Sequence, residues 1–322
     1  MSQVASAQIA AAVAALRRGE LVAFPTETVY GLGADASNEA AVRRIFAAKG
    51  RPADHPVIVH LPDAALLDAW ARDVSAIARR LAARFWPGPL TLILPRANHV
   101  LDVVTGGQDT VGLRVPDHPV AQALLQAFGG GIAAPSANRF GRISPTRAEH
   151  VRAELGDAVA VILDGGPSRV GLESTIVDLS GDQPVLLRPG QITAAEIAAV
   201  AGVPVLTQQR TRTRAPGTLA SHYAPVTPVE LVDPATLESS VAALSQAGAR
   251  IAVLARRPMP RSLRALAWIE LPPDADGYAR GLYASLRELD AAGADRIIVE
   301  RVPDDEAWTA VRDRLTRAAH RA

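Results

Sequence analysis

Glu39-Ala-Ala-Val-Arg-Arg-Ile-Phe-Ala-Ala-Lys-Gly-Arg-Pro-Ala-Asp-His-Pro-Val-Ile-Val-His60 changes pattern in mid-course. Its first half is an Ala-rich run that predicts a helix over Glu39–Ala48, ending near Gly50. Its second half predicts a strand over Val57–Leu61. The alternation extends outward from there. Strands are predicted at Leu21–Phe24, Leu90–Leu94, Thr110–Val115, Gly131–Ala134, Val159–Leu163, Ser174–Asp178 and Val185–Arg188. Helices are predicted at Ile9–Arg18, Ser75–Phe85, Val120–Phe128, Arg147–Leu155 and Ala194–Ala201. The fold class is therefore α/β. Some runs follow each other across only a turn, which predicts a twisted mixed sheet with helices, not a purely parallel one.

The 322 residues suggest two domains. Residues 1–206 form the first. Residues 207–228 have no apolar periodicity and read as a linker. Residues 229–322 carry strand-like runs at Ile251–Leu254, Trp268–Leu271 and Ile297–Glu300, with helical runs at Tyr278–Leu289 and Asp305–Arg317. They read as a smaller Rossmann-like α/β domain without a glycine-rich dinucleotide fingerprint. The net charge of +1 argues against a general nucleic-acid coat, and the absence of cysteine excludes thiolate chemistry and zinc–thiolate sites. No paired metal-ligand spacing occurs among the seven histidines. The first residues read as a surface helix, not a signal peptide, and no apolar stretch is long enough for a bilayer, so a cytoplasmic protein without membrane contact is expected.

One lysine stands among 34 basic residues, at position 49. In a chain that otherwise uses arginine, a compact ammonium suits a single phosphate oxygen, although a lone lysine must also fall somewhere. Five polar segments stand at predicted strand ends, where ligands dock in α/β sheets. Pro25-Thr-Glu-Thr-Val-Tyr-Gly-Leu-Gly33 offers hydroxyls before a Gly-Leu-Gly turn. Lys49 and Arg51, two residues apart in an extended turn, can straddle a triphosphate or simply cap a helix; His55 and His60 follow. Arg114, in Thr110-Val-Gly-Leu-Arg114, shares a face with Thr110 inside an apolar strand. It requires either a bound carboxylate or phosphate, or a carboxylate of the protein. Pro135-Ser-Ala-Asn138, with Arg139, Arg142 and Ser144 beyond it, suits phosphate binding. Ser174 and Arg188 stand at further strand ends. Neither a Walker loop nor a hydrolase elbow is present. Positioning and charge neutralisation of a nucleotide fit this set better than a triad or a carboxylate pair.

In their order, Pro-Thr-Glu-Thr-Val-Tyr-Gly-Leu-Gly, Lys-Gly-Arg-Pro, Trp86-Pro-Gly-Pro-Leu-Thr91, Pro-Ser-Ala-Asn, Glu173-Ser-Thr-Ile-Val-Asp178 and Leu187-Arg-Pro-Gly190 resemble the YrdC-like threonylcarbamoyl-AMP synthases. Ser221-His-Tyr-Ala-Pro225 resembles the linker of the long, two-domain form. The resemblance implies a nucleotidyltransferase that makes threonylcarbamoyl-AMP, pyrophosphate and water from L-threonine, bicarbonate and ATP with Mg²⁺. Its product would feed threonylcarbamoyladenosine formation in tRNA by downstream modification proteins, direct tRNA contact being left open. Carried over by residue, Thr28, His60, Arg114, Ala134 and Ser174 would hold threonine. Arg51, His55, Thr110, Ser136, Ser144 and Arg188 would hold ATP, with His222 and Tyr223 closing over it. Lys49, Arg51, Ser136 and Asn138 would form the catalytic group, and no protein-held metal is implied. Asn is common in the family where this chain has His55. Two competing readings are a carbamoyl-adenylate-forming enzyme, whose relatives carry zinc-finger segments, and an RNA-binding or ribosome-assembly factor. The missing cysteine weighs against the first; the near-neutral charge and 4% aromatic content weigh against the second.

Overall fold

A computed structural model describes residues 3–207 and 213–320. They divide into two compact units. The first comprises residues up to Phe140, Pro145–Arg169 and Glu173–Thr218. The second comprises Gly141–Ser144, Val170–Leu172 and the residues from Leu219 onward.

The first unit is built on nine strands: β1 (Val22–Phe24), β2 (Gly31–Asp35), β3 (Ile58–His60), β4 (Leu90–Pro95), β5 (Thr110–Arg114), β6 (Ile132–Ala133), β7 (Val161–Ile162), β8 (Thr175–Asp178) and β9 (Val185–Arg188). They form one sheet in the order β7-β1-β2-β6-β3-β5-β4-β8-β9. Parallel pairs (β1–β7, β3–β5, β4–β8) are interspersed with antiparallel ones (β1–β2, β4–β5, β8–β9), so the sheet is mixed as the spacing predicts.

Strand alternation sorts the side chains. Val59, Leu92, Leu94, Val111, Leu113 and Val177 point to one face, where helix Glu39–Lys49 and helix Ala76–Phe85 complete a large core. On the opposite face, Val22, Phe24, Ile132 and Ala134 are covered by helix Gln3–Arg17 and helix Pro119–Phe128, through Leu16, Leu124 and Leu125. That cover stops short of the other half of the sheet. Ile58, Ile93 and Ile176 there meet Ala215, from the segment after β9, and no helical residue. A sheet face left without a helix is where this fold has room for a ligand.

Glycine in Gly31-Leu-Gly33 predicts a turn, but these residues begin β2, inside the sheet. A Cβ on Gly33 would lie 2.8 Å from both Ile132 Cγ2 and Phe24 Cε1, so glycine here makes room for neighbouring side chains and does not reverse the chain.

The second unit has four strands, β10 (Val229–Val232), β11 (Ile251–Ala255), β12 (Ala267–Glu270) and β13 (Arg296–Glu300), all parallel, in the order β10-β13-β11-β12. Strand β10 and helix Leu237–Gln246 complete the elements foreseen for this domain. Of the expected linker, Gln208–Arg212 lies outside the described residues. Arg214–Pro216 lies on the first unit, and His222 and Tyr223 belong to the second. No helix among the described residues is long and apolar enough to cross a membrane.

Candidate active site

The bare half of the sheet carries the polar residues that the same alternation selects. His60 shares its face with Ile58, Arg114 with Gly112 and Thr110, Ser174 with Ile176, and Thr91 with Ile93. Parallel pairing of β3 with β5 places His60 opposite Arg114.

Arg114 is buried, and its Nη2 lies 2.7 Å from Glu27 Oε1. Nη2 also donates to Thr28 Oγ1 at 2.9 Å, and Nε to the Gly88 carbonyl at 3.3 Å. The protein's own carboxylate is thus the partner that this strand arginine requires. Glu27 is in turn fixed by the Asp117 N–H, which donates to Oε2 at 3.0 Å. Arg114 Nη1 hydrogen-bonds no described residue, leaving one edge of the fork for a second anion. Beside it, His60 is buried edge-on to Phe24. Desolvation, reinforced by the Arg114 charge, pushes its pKa down to about 3, so the ring is neutral. Its Nδ1 is buried without a hydrogen bond, a donor or acceptor held in reserve beside the arginine. Ala134 closes this corner, its N–H donating to the Ile58 carbonyl at 2.9 Å.

A second group forms where helix Glu39–Lys49 ends. Asn38 caps its start by accepting the Ala41 N–H, and Gly50 closes it in the left-handed conformation, φ 61°. Lys49, the last helical residue, is therefore buried, not extended in a turn. Its ammonium donates to the carbonyls of Ser136 at 2.6 Å and Asn138 at 2.5 Å. Burial pushes the Lys49 pKa down, and nearby Arg51 adds to the effect. The lone lysine thus tethers the Pro135–Asn138 loop and leaves one of its three N–H groups unassigned among described residues. Arg51 Nη2 donates to the Pro56 carbonyl at 2.8 Å, and its guanidinium lies 5.5 Å from the Phe140 ring. His55 meets the same ring edge-on at 5.3 Å, and burial with the Arg51 charge lowers its pKa.

A third group joins Ser174 to Arg188, whose Nε and Nη2 donate to the Ser174 carbonyl at 3.0 Å and hydroxyl at 3.1 Å. The Ser174 hydroxyl also lies 2.8 Å from Thr91 Oγ1. Arg188 Nη1 donates to the Pro216 carbonyl at 3.0 Å. Thr110 lines a narrow cleft with Thr91, Gly112 and Pro216. Gln108 secures the segment over that cleft, accepting the Arg214 N–H at 2.6 Å and donating to the Arg214 carbonyl at 3.1 Å.

The other expected nucleotide contacts, Ser144, His222 and Tyr223, belong to the second unit. All three are buried, and Tyr223 packs with its ring 5.8 Å from Tyr283 and 5.2 Å from the Arg314 guanidinium. His222 and Tyr223 are therefore packed residues of that unit, in contrast to the linker residues the composition predicts. Phe140 has no role in the sequence reading, and Glu27 enters it only as a carboxylate without a partner. Both lie within the polar segments singled out there, Glu27 between two threonines and Phe140 as the one aromatic of its loop.

An α/β sheet with one bare half, carrying a buried arginine–carboxylate pair, a buried ammonium and further guanidinium groups, has the makings of a small-molecule enzyme site. Residues 14–190 match the Sua5/YciO/YrdC family model, described as "Telomere recombination", and residues 192–320 match that of "Threonylcarbamoyl-AMP synthase, C-terminal domain". The chain is 44% identical to the threonylcarbamoyl-AMP synthase of Bacillus subtilis, over 97% of this chain and 93% of that protein. It is 42% identical to that of Pyrococcus abyssi, over 94% and 92% respectively. The crystal structure of P. abyssi Sua5 complexed with L-threonine superposes with a TM-score of 0.91 at 41% identity, covering 98% of this chain and 94% of that one. The chain belongs to the threonylcarbamoyl-AMP synthase family, in its two-domain form.

Proposed function

We propose that the chain condenses L-threonine, bicarbonate and ATP into threonylcarbamoyl-AMP, pyrophosphate and water, in support of tRNA threonylcarbamoyladenosine formation in the cytoplasm. The observation that carries this reading is the Arg114 corner. A guanidinium held on one edge by Glu27 and Thr28, with Nη1 free among the described residues and a neutral His60 beside it, suits an amino-acid carboxylate and its polar neighbours. Thr28, His60, Arg114, Ala134 and Ser174 are assigned to threonine.

In the reaction, the threonine amine adds to carbon dioxide derived from bicarbonate. The resulting carbamate oxygen attacks the α-phosphorus, and the bond to pyrophosphate breaks. An anion approaches an anion, so the chain's task is to neutralise and align. Lys49 holds the Ser136–Asn138 loop in place and directs its remaining N–H toward the phosphates; Arg51 and Arg188 supply further charge. His55, Thr110, Ser136, Ser144, His222 and Tyr223 are the other nucleotide contacts of this assignment. Among the described residues no three His, Asp or Glu side chains gather as a metal cage. Glu27 is engaged by Arg114 and Asp117. Magnesium is assigned to the triphosphate, as part of the substrate. The downstream tRNA-modification proteins would receive the product.

Incubation with ¹³C-bicarbonate, threonine and MgATP tests the proposal by mass spectrometry. The expected product is threonylcarbamoyl-AMP carrying a single ¹³C. Recovery of AMP and pyrophosphate with no labelled adduct would refute it.

A further inference from the structure

The second unit contains a cleft of its own. Strands β10 and β13 are neighbours in the sheet, yet most of the unit's sequence lies between them. After β10 the chain enters helix Leu237–Gln246, whose Leu237 and Val241 pack with Val253, Ala255 and Ile298 on one face. After β13 it enters helix Thr309–Ala319, which packs against β10 and helix Ala275–Ala291, apart from that cluster. Adjacent parallel strands whose connections leave for opposite faces open a crevice at their carboxyl ends, the usual ligand position in α/β sheets.

A cleft of about 450 Å³ lies there, lined by Asp233 after β10, Arg256 after β11, Arg301 and Asp304 after β13, and Arg312 and Leu315 of the last helix. Its size falls within the ordinary range of small-molecule sites. Three guanidinium groups face two carboxylates. Arg301 stands 3.6 Å from Asp233 and Arg312 3.8 Å from Asp304, at separations too long for hydrogen bonds and with both carboxylates open to solvent. Such exposed pairs hold little energy, so Arg301 can turn to a better-matched dianion, while Arg312 offers its remaining N–H capacity from a guanidinium already fixed by the Pro303 carbonyl, 2.7 Å from Nη1, and by Thr309 Oγ1, 3.3 Å from Nη2. Arg256 is more enclosed, 5.6 Å from the Trp308 ring. Its nearest carboxylate, the buried Glu300, lies 3.8 Å away and is shared with Arg257 at 3.6 Å. Arg257 also reaches Glu238 at 3.9 Å, so these charges balance, but Arg256 Nε is buried without a hydrogen bond, a donor left for a ligand. Planar guanidinium forks match phosphate oxygens, while the half-buried Leu231 and Pro303 supply apolar wall.

We propose that this cleft binds a phosphate monoester of mononucleotide size, its dianion taken by Arg256, Arg301 and Arg312 and its less polar body laid against Leu231 and Pro303. The site is built wholly from second-unit residues and does not depend on the reaction assigned to the first. With no glycine-rich loop to offer backbone N–H groups, recognition is by side chains.

The Trp308 indole N–H, assigned by Trp308→Phe, reports on the cleft in ¹H–¹⁵N spectra of the full chain. AMP, adenosine, inorganic phosphate and the phosphodiester ApA are the probes. A saturable Trp308 shift is expected with AMP, with affinity falling by about tenfold for inorganic phosphate and for ApA and no shift with adenosine. Arg301→Ala, at an exposed position, should weaken AMP by about tenfold and leave the rest of the spectrum in place. No saturable shift with AMP, an equal response to adenosine, tighter binding of ApA than AMP, or an unchanged AMP affinity in Arg301→Ala would each overturn the proposal. Because the readout is local to Trp308, a failure of the assigned synthase activity leaves this test intact.

Discussion

Replacing Lys49 by Met removes an ammonium while keeping most of the side chain's length. Two charge-assisted bonds, to the Ser136 and Asn138 carbonyls, disappear. Each contributes about 1.5–3 kcal/mol when its partners are fixed. Against this stands the cost of burying the ammonium, itself about several kcal/mol, which methionine does not incur. The two contributions oppose each other, so the net change in folding stability should stay within about 2 kcal/mol, a shift of about 3 °C or less in Tm for a chain of 322 residues. Activity has no such compensation. The loop loses its tether and, on the proposed assignment, the phosphates lose a cation, so the rate should fall by about 100-fold or more, or ~2.7 kcal/mol of barrier. Lys49→Arg should not rescue it, because a planar guanidinium cannot take the place of a point charge between two carbonyls. Pyrophosphate release and thermal unfolding, measured on the same preparations, separate the two effects. A Lys49→Met protein with near-normal turnover, or one that loses turnover only in proportion to folding, would refute the reasoning.

Arg114→Ala should weaken L-threonine far more than ATP, and calorimetry with each ligand alone would contradict this by finding equal losses. His60 is neutral in the folded chain with a pKa of about 3, against an ordinary 6.5. Between those values the unfolded chain binds the extra proton, so the stability held above pH 6.5 is lost toward pH 3, at about 1.4 kcal/mol per pH unit. His60→Asn should flatten that part of a Tm-against-pH curve, and an unchanged slope would exclude His60 as its source. Gly33→Ala places a methyl group 2.8 Å from Ile132 and Phe24; about 1–3 kcal/mol of destabilisation should appear in denaturant unfolding, and a wild-type midpoint would show that the sheet opens at no cost.

The helix and strand runs around Glu39–His60 were legible because their apolar periods are clean and the helix end carries an explicit signal, Gly50. β2 was not, because glycine signals a turn locally and only the tertiary packing of Phe24 and Ile132 makes it a strand residue. The site was legible as a set of segments: Arg114, His60, Lys49 and Ser174 all occur at strand or helix ends, with hydroxyls around them. Which groups bond to which was not. Lys49 reads as a free cation until the structure shows it reaching two carbonyls about ninety residues away. Glu27 reads as one polar residue among threonines until Arg114 arrives from another strand. His222 and Tyr223 follow a polar, aperiodic stretch, and nothing local reveals that Arg314 and Tyr283 await them.

If carbamate formation and adenylation are joined at one site, pyrophosphate release from MgATP in bicarbonate-depleted buffer should depend on both co-substrates. Release is expected only when L-threonine and bicarbonate are both supplied, with either omission reducing it to background. Undiminished release without threonine, or without bicarbonate, would contradict it.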